Sequence, residues 1–361
     1  MDTHLREALT AVAHDTGFHV VRFAAVRPTP RADALDRWLA RGQQADMHWL
    51  ARQREVRRDP RVRAPWARTA MVLAVHHHHA RPPDPGGRTG LVARYAWGRD
   101  YHNLMGKRLR KLLTRLRRDG RRAWGGVDTA PIQERSWAAA AGLGFTGKHT
   151  LQIEVGRTSW MLLGVVMIDA EVTPDAPLRR DHCGSCQRCL DICPTEAFRG
   201  PWDLDARACI AYWTIEARGV IPRSLRPRFG RWVFGCDLCQ EACPHNHAPP
   251  EPDEPDLLPR NAWLDLDALL RTPDAALLDR FTGTPLRRPG AAGLKRNALV
   301  VLGNLGDDGA VDAIREALEH PSPVVRATAV WALDRLGAPT PLTDPDPAVR
   351  AEIQAIRRPK P

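Results

Sequence analysis

Residues 181–198 read DHCGSCQRCLDICPTEAF, and residues 235–246 read GCDLCQEACPHN. The first stretch spaces Cys183, Cys186, Cys189 and Cys193 as C-x2-C-x2-C-x3-C and follows the last with Pro194. In the bacterial ferredoxin run of this spacing, three thiolates hold one cluster and the fourth reaches a second. The later stretch repeats the ending with Cys236, Cys239, Cys243 and Pro244 but lacks a leading cysteine, and Cys209 is the only thiol left to supply it. The arithmetic then closes. Cys183, Cys186, Cys189 and Cys243 take one [4Fe–4S] cluster, and Cys193, Cys209, Cys236 and Cys239 take the other. Paired C-x2-C motifs also build zinc ribbons, but the x3-C-P ending on both runs favours iron–sulfur. No cysteine precedes residue 183, and such a cluster of thiols in a reducing compartment reads as a metal site rather than as disulfides.

Working outward, a chain of 361 residues with 43% hydrophobic content has room for two or three domains with proper cores. Before the cysteines, residues 4–14 pattern as an amphipathic helix, His19 to Val26 and Ala70 to Val75 as strands, 103–118 as a very basic helix, and Ser159 to Ile168 as a buried strand. This alternation makes residues 1–175 an α/β domain. Residues 176–250 form the ferredoxin-like two-cluster module, and HNHAPPEPDEPDLLPR (245–260) is a proline-rich connector. Beyond it, LKRNALVVLGNLG (294–306) and VVRATAVWALDRLG (324–337) match about 30 residues apart, and DPDPAVRAEIQAI (344–356) begins a truncated third copy. Residues 260–361 are therefore expected to be α-helical repeats of the HEAT kind, which present extended binding surfaces.

The formal charge of +11 favours a polyanionic partner, although arginine-rich proteins are often basic without one. The longest apolar runs, such as Trp160 to Ile168, are too short to span a membrane. The opening MDTHLREALT carries early acids and no apolar leader or twin arginine, so the cytoplasm is the expected compartment. Four consecutive histidines, His76 to His79, alternate between faces if extended, and no nearby carboxylate or H-x3-H completes a metal site.

With the cysteines placed, neighbouring stretches become recognisable. The cysteine runs, YAWGRDYHNLMGKRLRKL (95–112), VDTAPIQERSWAAAAGLGFTGKHT (127–150) and GLKRNALVVLGN (293–304) together resemble the epoxyqueuosine reductase family, in the same order across nearly the whole chain. The resemblance implies a cobalamin-dependent enzyme with two [4Fe–4S] clusters that completes queuosine in the tRNA anticodon loop, with the corrinoid in the α/β domain. The chain has no D-x-H-x-x-G corrinoid motif, so cobalamin is implied by the resemblance alone. Carried over motif by motif, the proton donor is Asp128 in VDTAP. The corrinoid contacts are Arg57 in VRRDP, Ala93 before RYAWG, Asp128, the stretch Lys148, His149, Thr150 and Gln152, Leu163, and Asp237 with Leu238. The tRNA contacts are Arg287, Arg288, Lys295, Arg296 and Asn297 at the entry to the repeats, with the basic helix 107–118 a weaker candidate. Three departures stand out: His149 where asparagine is usual, the histidine run in place of an apolar-aromatic stretch, and His245 after the last CP.

Opening an epoxide to an alkene takes two electrons and two protons and releases water, so the implied reaction needs an acid as well as a reductant. Burial of Asp128 is expected to raise its pKa toward the working pH, whereas an aspartate in this setting is otherwise a turn or cap residue. Whether cobalt attacks the ring or transfers electrons outer-sphere is left open. The implied partners are tRNA carrying epoxyqueuosine and an external low-potential electron donor, with a monomer favoured. Two other readings compete: a corrinoid reductive dehalogenase, and a ferredoxin-like electron carrier docked through its repeats. The first normally carries an export signal and needs no basic repeats, and the second leaves residues 1–175 without a task.

Overall fold

A computed structural model describes residues 2–178 and 182–357. Residues 179–181, early in the expected two-cluster module, and 358–361, closing the expected repeat region, lie outside the described residues. The chain forms two compact units assembled from alternating stretches: Met1–Ala80, Asp100–Ala206 and Leu238–Leu257 in the first, Arg81–Arg99, Arg207–Asp237 and Leu258–Pro361 in the second. Six cysteines fall in the first unit, and Cys209 and Cys236 fall in the second.

The first unit mixes helices with a four-stranded sheet ordered Val20–Ala25, Thr69–His76, Met161–Ile168, Ala123–Gly126. Every pairing in it is antiparallel, so the alternation of helices and strands along the sequence does not wind a parallel sheet. The second strand is buried throughout because both faces are covered. Met71, Leu73 and Val75 point into one apolar layer, and Ala70, Val72 and Ala74 into the other, following the two-residue period of a strand. The first layer is closed by the helices Asp2–Asp15 and Tyr101–Arg118, and the second by Glu134–Ala140, which buries Trp137 and Ala138.

The long basic helix starts where Asp100 accepts a hydrogen bond from the His102 backbone N–H at 2.9 Å. Its inner stripe is Leu104, Met105, Leu109, Leu112 and Leu116, while Lys107, Arg110, Lys111, Arg115, Arg117 and Arg118 are exposed. Arg108 turns inward and pairs with Glu254. On the edge strand, a Cβ at Gly125 would lie 2.1 Å from the Val165 carbonyl oxygen. Only glycine permits that approach, and the chain runs directly from it to Val127 and Asp128.

The second unit has a three-stranded sheet ordered Trp232–Phe234, Thr89–Val92, Trp263–Asp265, with one parallel and one antiparallel pairing. The repeat helix Gly290–Leu305 packs on the strand Trp232–Phe234 and on the helix Pro323–Arg335, which packs in turn on Pro347–Arg357. These are the three copies read from the sequence. The last is tied in by Glu352, whose carboxylate receives both guanidinium nitrogens of Arg226 at 2.9 Å each, and the Arg226 guanidinium carbon lies 5.3 Å from the Trp331 ring centroid.

Leu73 is fully buried between helices and sheet. Leu73→Ala should therefore destabilise the first unit by about 2–5 kcal/mol, read as a lower denaturant midpoint with an unchanged slope.

Candidate active site and iron–sulfur ligands

Asp128 follows the edge strand and meets the start of the basic helix. His102 bridges two carboxylates, with Nδ1 2.7 Å from Asp100 and Nε2 2.9 Å from Asp128. Tyr101 donates its phenolic hydrogen to the other Asp128 oxygen, and its ring stacks on His102 with centroids 4.1 Å apart. The Asp128 side chain keeps about half of its surface accessible (53%), and the protein around it covers the rest. That burial pushes its pKa up, but hydrogen bonding and charge from His102, with the Tyr101 hydrogen bond, hold it below the usual carboxylate range. For His102 burial opposes the charge, but hydrogen bonds to Asp100 and Asp128 raise its pKa to about 9. The expectation that burial alone would decide for Asp128 is thus corrected: at neutral pH the proton sits on His102. The DYH tripeptide (100–102) lies inside a recognised stretch, but its role emerges only from the meeting with Asp128.

Several expected corrinoid residues share this unit. Arg57 is buried, its Nε–H has no partner, and burial lowers its pKa against the charge of Glu134. Burial raises Glu134 to a pKa of about 7, with Asp128 adding to the rise and Arg135 and Arg57 opposing it, and one of its carboxyl oxygens is unpaired. His149 is held neutral by burial, its pKa lowered to about 4, and its Nε2 is also unpaired. Thr150 sits at φ +71°, a left-handed conformation that costs a β-branched residue about 1–3 kcal/mol. Arg135 steadies that turn by donating to the Thr150 carbonyl at 2.9 Å. Sequence reasoning misses Glu134 and Arg135 as site residues, since next to each other they read as an ordinary helix start.

Other expected contacts are already engaged. Lys148 donates to the carbonyls of Gly184 and Cys186 at 2.6 and 2.9 Å, so its charge steadies the first cysteine loop. Gln152 is buried and donates to the Leu143 carbonyl at 2.5 Å. Leu163 packs against the layer under the Glu134 helix, and Leu238 begins the helix Leu238–Glu241. In the second unit, Ala93 is buried with its N–H on the Phe234 carbonyl at 2.8 Å, and Asp237 accepts from the Arg94 backbone N–H at 2.8 Å. The histidine run forms local structure. His76 ends its strand stacked on His19 and 2.8 Å from Glu154, and His77 meets the Trp160 ring edge-on. His245 lies edge-on to Phe145.

The helices Arg188–Asp191 and Leu238–Glu241, one from each cysteine run, pack together. Burial raises the Cys189 thiol to a pKa of about 11, and the neighbouring Cys243, Cys183 and Cys186 add to the rise. Cys243 is pushed up by burial and by Cys183 and Cys186. Cys183 and Cys243 also share a small apolar cluster with Phe145 and Ile153. Cys193 already accepts a hydrogen bond on sulfur from the Ala197 N–H at 3.3 Å.

The repeat entry divides. Arg287 and Arg288 are exposed, Arg288 pairing with Glu216 at 2.9 Å. Lys295, Arg296 and Asn297 are buried, and the expectation that they contact tRNA is corrected. Lys295 pairs with Asp274 at 2.8 Å, and the polar groups of Arg296 and Asn297 are consumed inside the unit.

Comparison with known proteins agrees with this layout. Residues 182–246 match the family described as "4Fe-4S double cluster binding domain", 57–129 match "Epoxyqueuosine reductase QueG, DUF1730", and 286–357 match "HEAT repeats". Epoxyqueuosine reductase of Xanthomonas campestris is 40% identical over 91% of this chain and 95% of its own length, and that of Pseudomonas aeruginosa 37% over 92% and 95%. A crystal structure of an epoxyqueuosine reductase superposes with a TM-score of 0.89 at 26% identity, over 99% of both chains. Another, solved with an epoxyqueuosine-modified tRNA-Tyr stem loop, gives 0.87 at 27% identity, over 100% of this chain and 96% of the other. The chain belongs to the epoxyqueuosine reductase family, oxidoreductases that here carry a double iron–sulfur domain and HEAT repeats.

Proposed function

We propose that this protein reduces epoxyqueuosine to queuosine at the wobble position of tRNA, with an external low-potential donor feeding two [4Fe–4S] clusters and these feeding cobalamin. The observation that carries the reading is the Asp100–His102–Asp128 chain, which stores a proton at neutral pH in a chain from this family. The reaction consumes two electrons and two protons, converts the epoxide to an alkene and releases its oxygen as water.

The donor sets suit both cofactors. By their spacing, Cys183, Cys186, Cys189 and Cys243 serve one cluster and the remaining cysteines the second, and residues 182–246 match a double-cluster family. Arg57, Glu134 and His149 leave two donors or acceptors and a carboxyl oxygen unpaired in the first unit, which suits the amide-bearing rim of a corrinoid. When bound, cobalamin supplies a metal centre that takes electrons singly and delivers a pair to the substrate.

The protein's own part is proton delivery and positioning. His102 holds the proton, Asp128 presents it to the departing oxygen, and Asp100 and Tyr101 fix the imidazole and the carboxylate. Transfer then moves one of the two protons from the imidazolium through the carboxylate to oxygen, leaving His102 neutral, and the second proton comes from solvent. For tRNA, exposed Arg287 and Arg288 and the outer face of the basic helix supply phosphate contacts, and the modified base must leave the anticodon stack to reach Asp128.

Because the His102 pKa is raised, the group stays protonated up to about pH 9; turnover should hold at neutral pH and fall through about pH 9. His102→Gln should remove that basic limb. Asp128→Asn should slow turnover about 10²–10⁴-fold at full cobalamin occupancy, and unchanged turnover would remove the acid role. Separately, Arg287→Glu with Arg288→Glu should weaken stem-loop binding and flatten its salt dependence by about one unit of slope for each phosphate no longer neutralised. An unchanged slope would count against that patch.

A further inference from the structure

We infer that Arg296 and Asn297, on the first repeat helix, are positioning residues for two iron–sulfur cysteines, Cys209 and Cys236. The inference rests on the two-cluster reading and assigns it residues outside both cysteine runs.

The Arg296 guanidinium is fully buried, and its hydrogen bonds go to carbonyl and amide oxygens rather than to carboxylates. All five of its N–H groups are used. Nη1 donates to the carbonyls of Ala217 (2.9 Å) and Gly219 (2.8 Å), Nη2 to Trp213 (2.5 Å) and to the Asn297 side-chain oxygen (2.9 Å), and Nε to that same oxygen (3.0 Å). Burial lowers its pKa to about 9, with Arg218 adding to the fall. Asn297 in turn spends both amide hydrogens, on the carbonyls of Thr214 (2.8 Å) and Val233 (2.9 Å).

The acceptors belong to two particular pieces of chain. Trp213 and Thr214 lie in the short helix Ile210–Ile215, and Ala217 and Gly219 follow it, so a cation caps the carbonyl end of that helix. The residue at the opposite end, the N-cap, is Cys209. Val233 lies in the strand Trp232–Phe234, which leads through Gly235 to Cys236. Thr214 joins the pieces directly, accepting from the Gly235 N–H at 2.9 Å while donating to the Ile210 carbonyl at 2.8 Å. Gly235 itself has φ +67°, and a Cβ there would lie 2.5 Å from that of Ala93, so the turn into Cys236 tolerates no side chain.

The two cysteines are 27 residues apart in sequence, and neither stands in a C-x2-C pair with the other. Local spacing cannot set the distance between them. The Arg296–Asn297 staple does so, by holding the helix behind one and the strand before the other from a single turn of the repeat helix. A cation in this place requires a buried, carboxylate-free acceptor set, which is what helix-end carbonyls provide.

The test is anaerobic reconstitution of the full chain with iron and sulfide, reading iron per chain and the electron paramagnetic resonance spectrum of the reduced protein. Asn297→Ala should lose one of the two clusters, so that iron falls to about half of the wild-type value. Arg326→Ala serves as the control. It removes a two-pronged pair with Asp344 (2.9 and 3.0 Å) from the next repeat helix and should keep full iron. Should Asn297→Ala not fold, Arg296→Lys, which keeps the charge but not the planar fork, is read in the same way. Full iron and a wild-type spectrum in the folded variant would overturn the inference, as would equal iron loss in Arg326→Ala. Wild-type protein that accepts fewer than two clusters would instead overturn the two-cluster reading.

Discussion

Burial pushes the thiols of Cys189 and Cys243 up, and the neighbouring cysteines of the first run add to the rise. On the proposed two-cluster reading, iron would supply the positive charge that such thiols need to ionise, which couples metal uptake to folding. Backbone near both sets of cysteines is held by buried polar side chains and by packing. Lys148 spends its ammonium on the backbone of the first loop rather than on open space. The short helices of the two cysteine runs pack face to face. In the second unit, a repeat helix that its sequence alone assigns to binding gives up an arginine and an asparagine to fix backbone near Cys209 and Cys236.

Electrons alone do not remove an epoxide oxygen, and in the proposed reaction the proton supply is separate from the electron supply. A lone carboxyl in a cleft would hold its proton by desolvation. Here His102, pinned between Asp100 and Asp128, holds it instead. Asp128 remains an anion able to orient toward an incoming oxygen, and the tightly capped start of the basic helix keeps the imidazole in place. The unpaired atoms of Arg57, Glu134 and His149 belong to the same unit, so the groups suited to a corrinoid rim and the proton store are built on one scaffold.

Whatever depends on short spacing is legible in the sequence. The cysteine intervals carry the cluster chemistry because ligand geometry is local, and the repeats show themselves by period. The strand Thr69–His76 is legible as an apolar run. The pKa of Asp128 is not, because its sign depends on His102, which a different element brings to it. Lys295, Arg296 and Asn297 read as a basic surface, yet their helix is apolar on nearly every side, with Leu294, Ala298, Leu299, Val300, Val301 and Leu302 all buried. A helix that is apolar all round is an interior helix, and that pattern is the available signal that its polar residues face inward.

The central claim is that this chain performs a cobalamin-dependent two-electron reduction of epoxyqueuosine in tRNA. The most direct measurement incubates the anaerobically reconstituted protein, with and without cobalamin, with epoxyqueuosine-containing tRNA and a low-potential reductant, and weighs the released nucleosides by mass spectrometry. The account predicts loss of one oxygen from the modified nucleoside only when cobalamin is present. An unchanged nucleoside, with both clusters and cobalamin fully loaded, would contradict it.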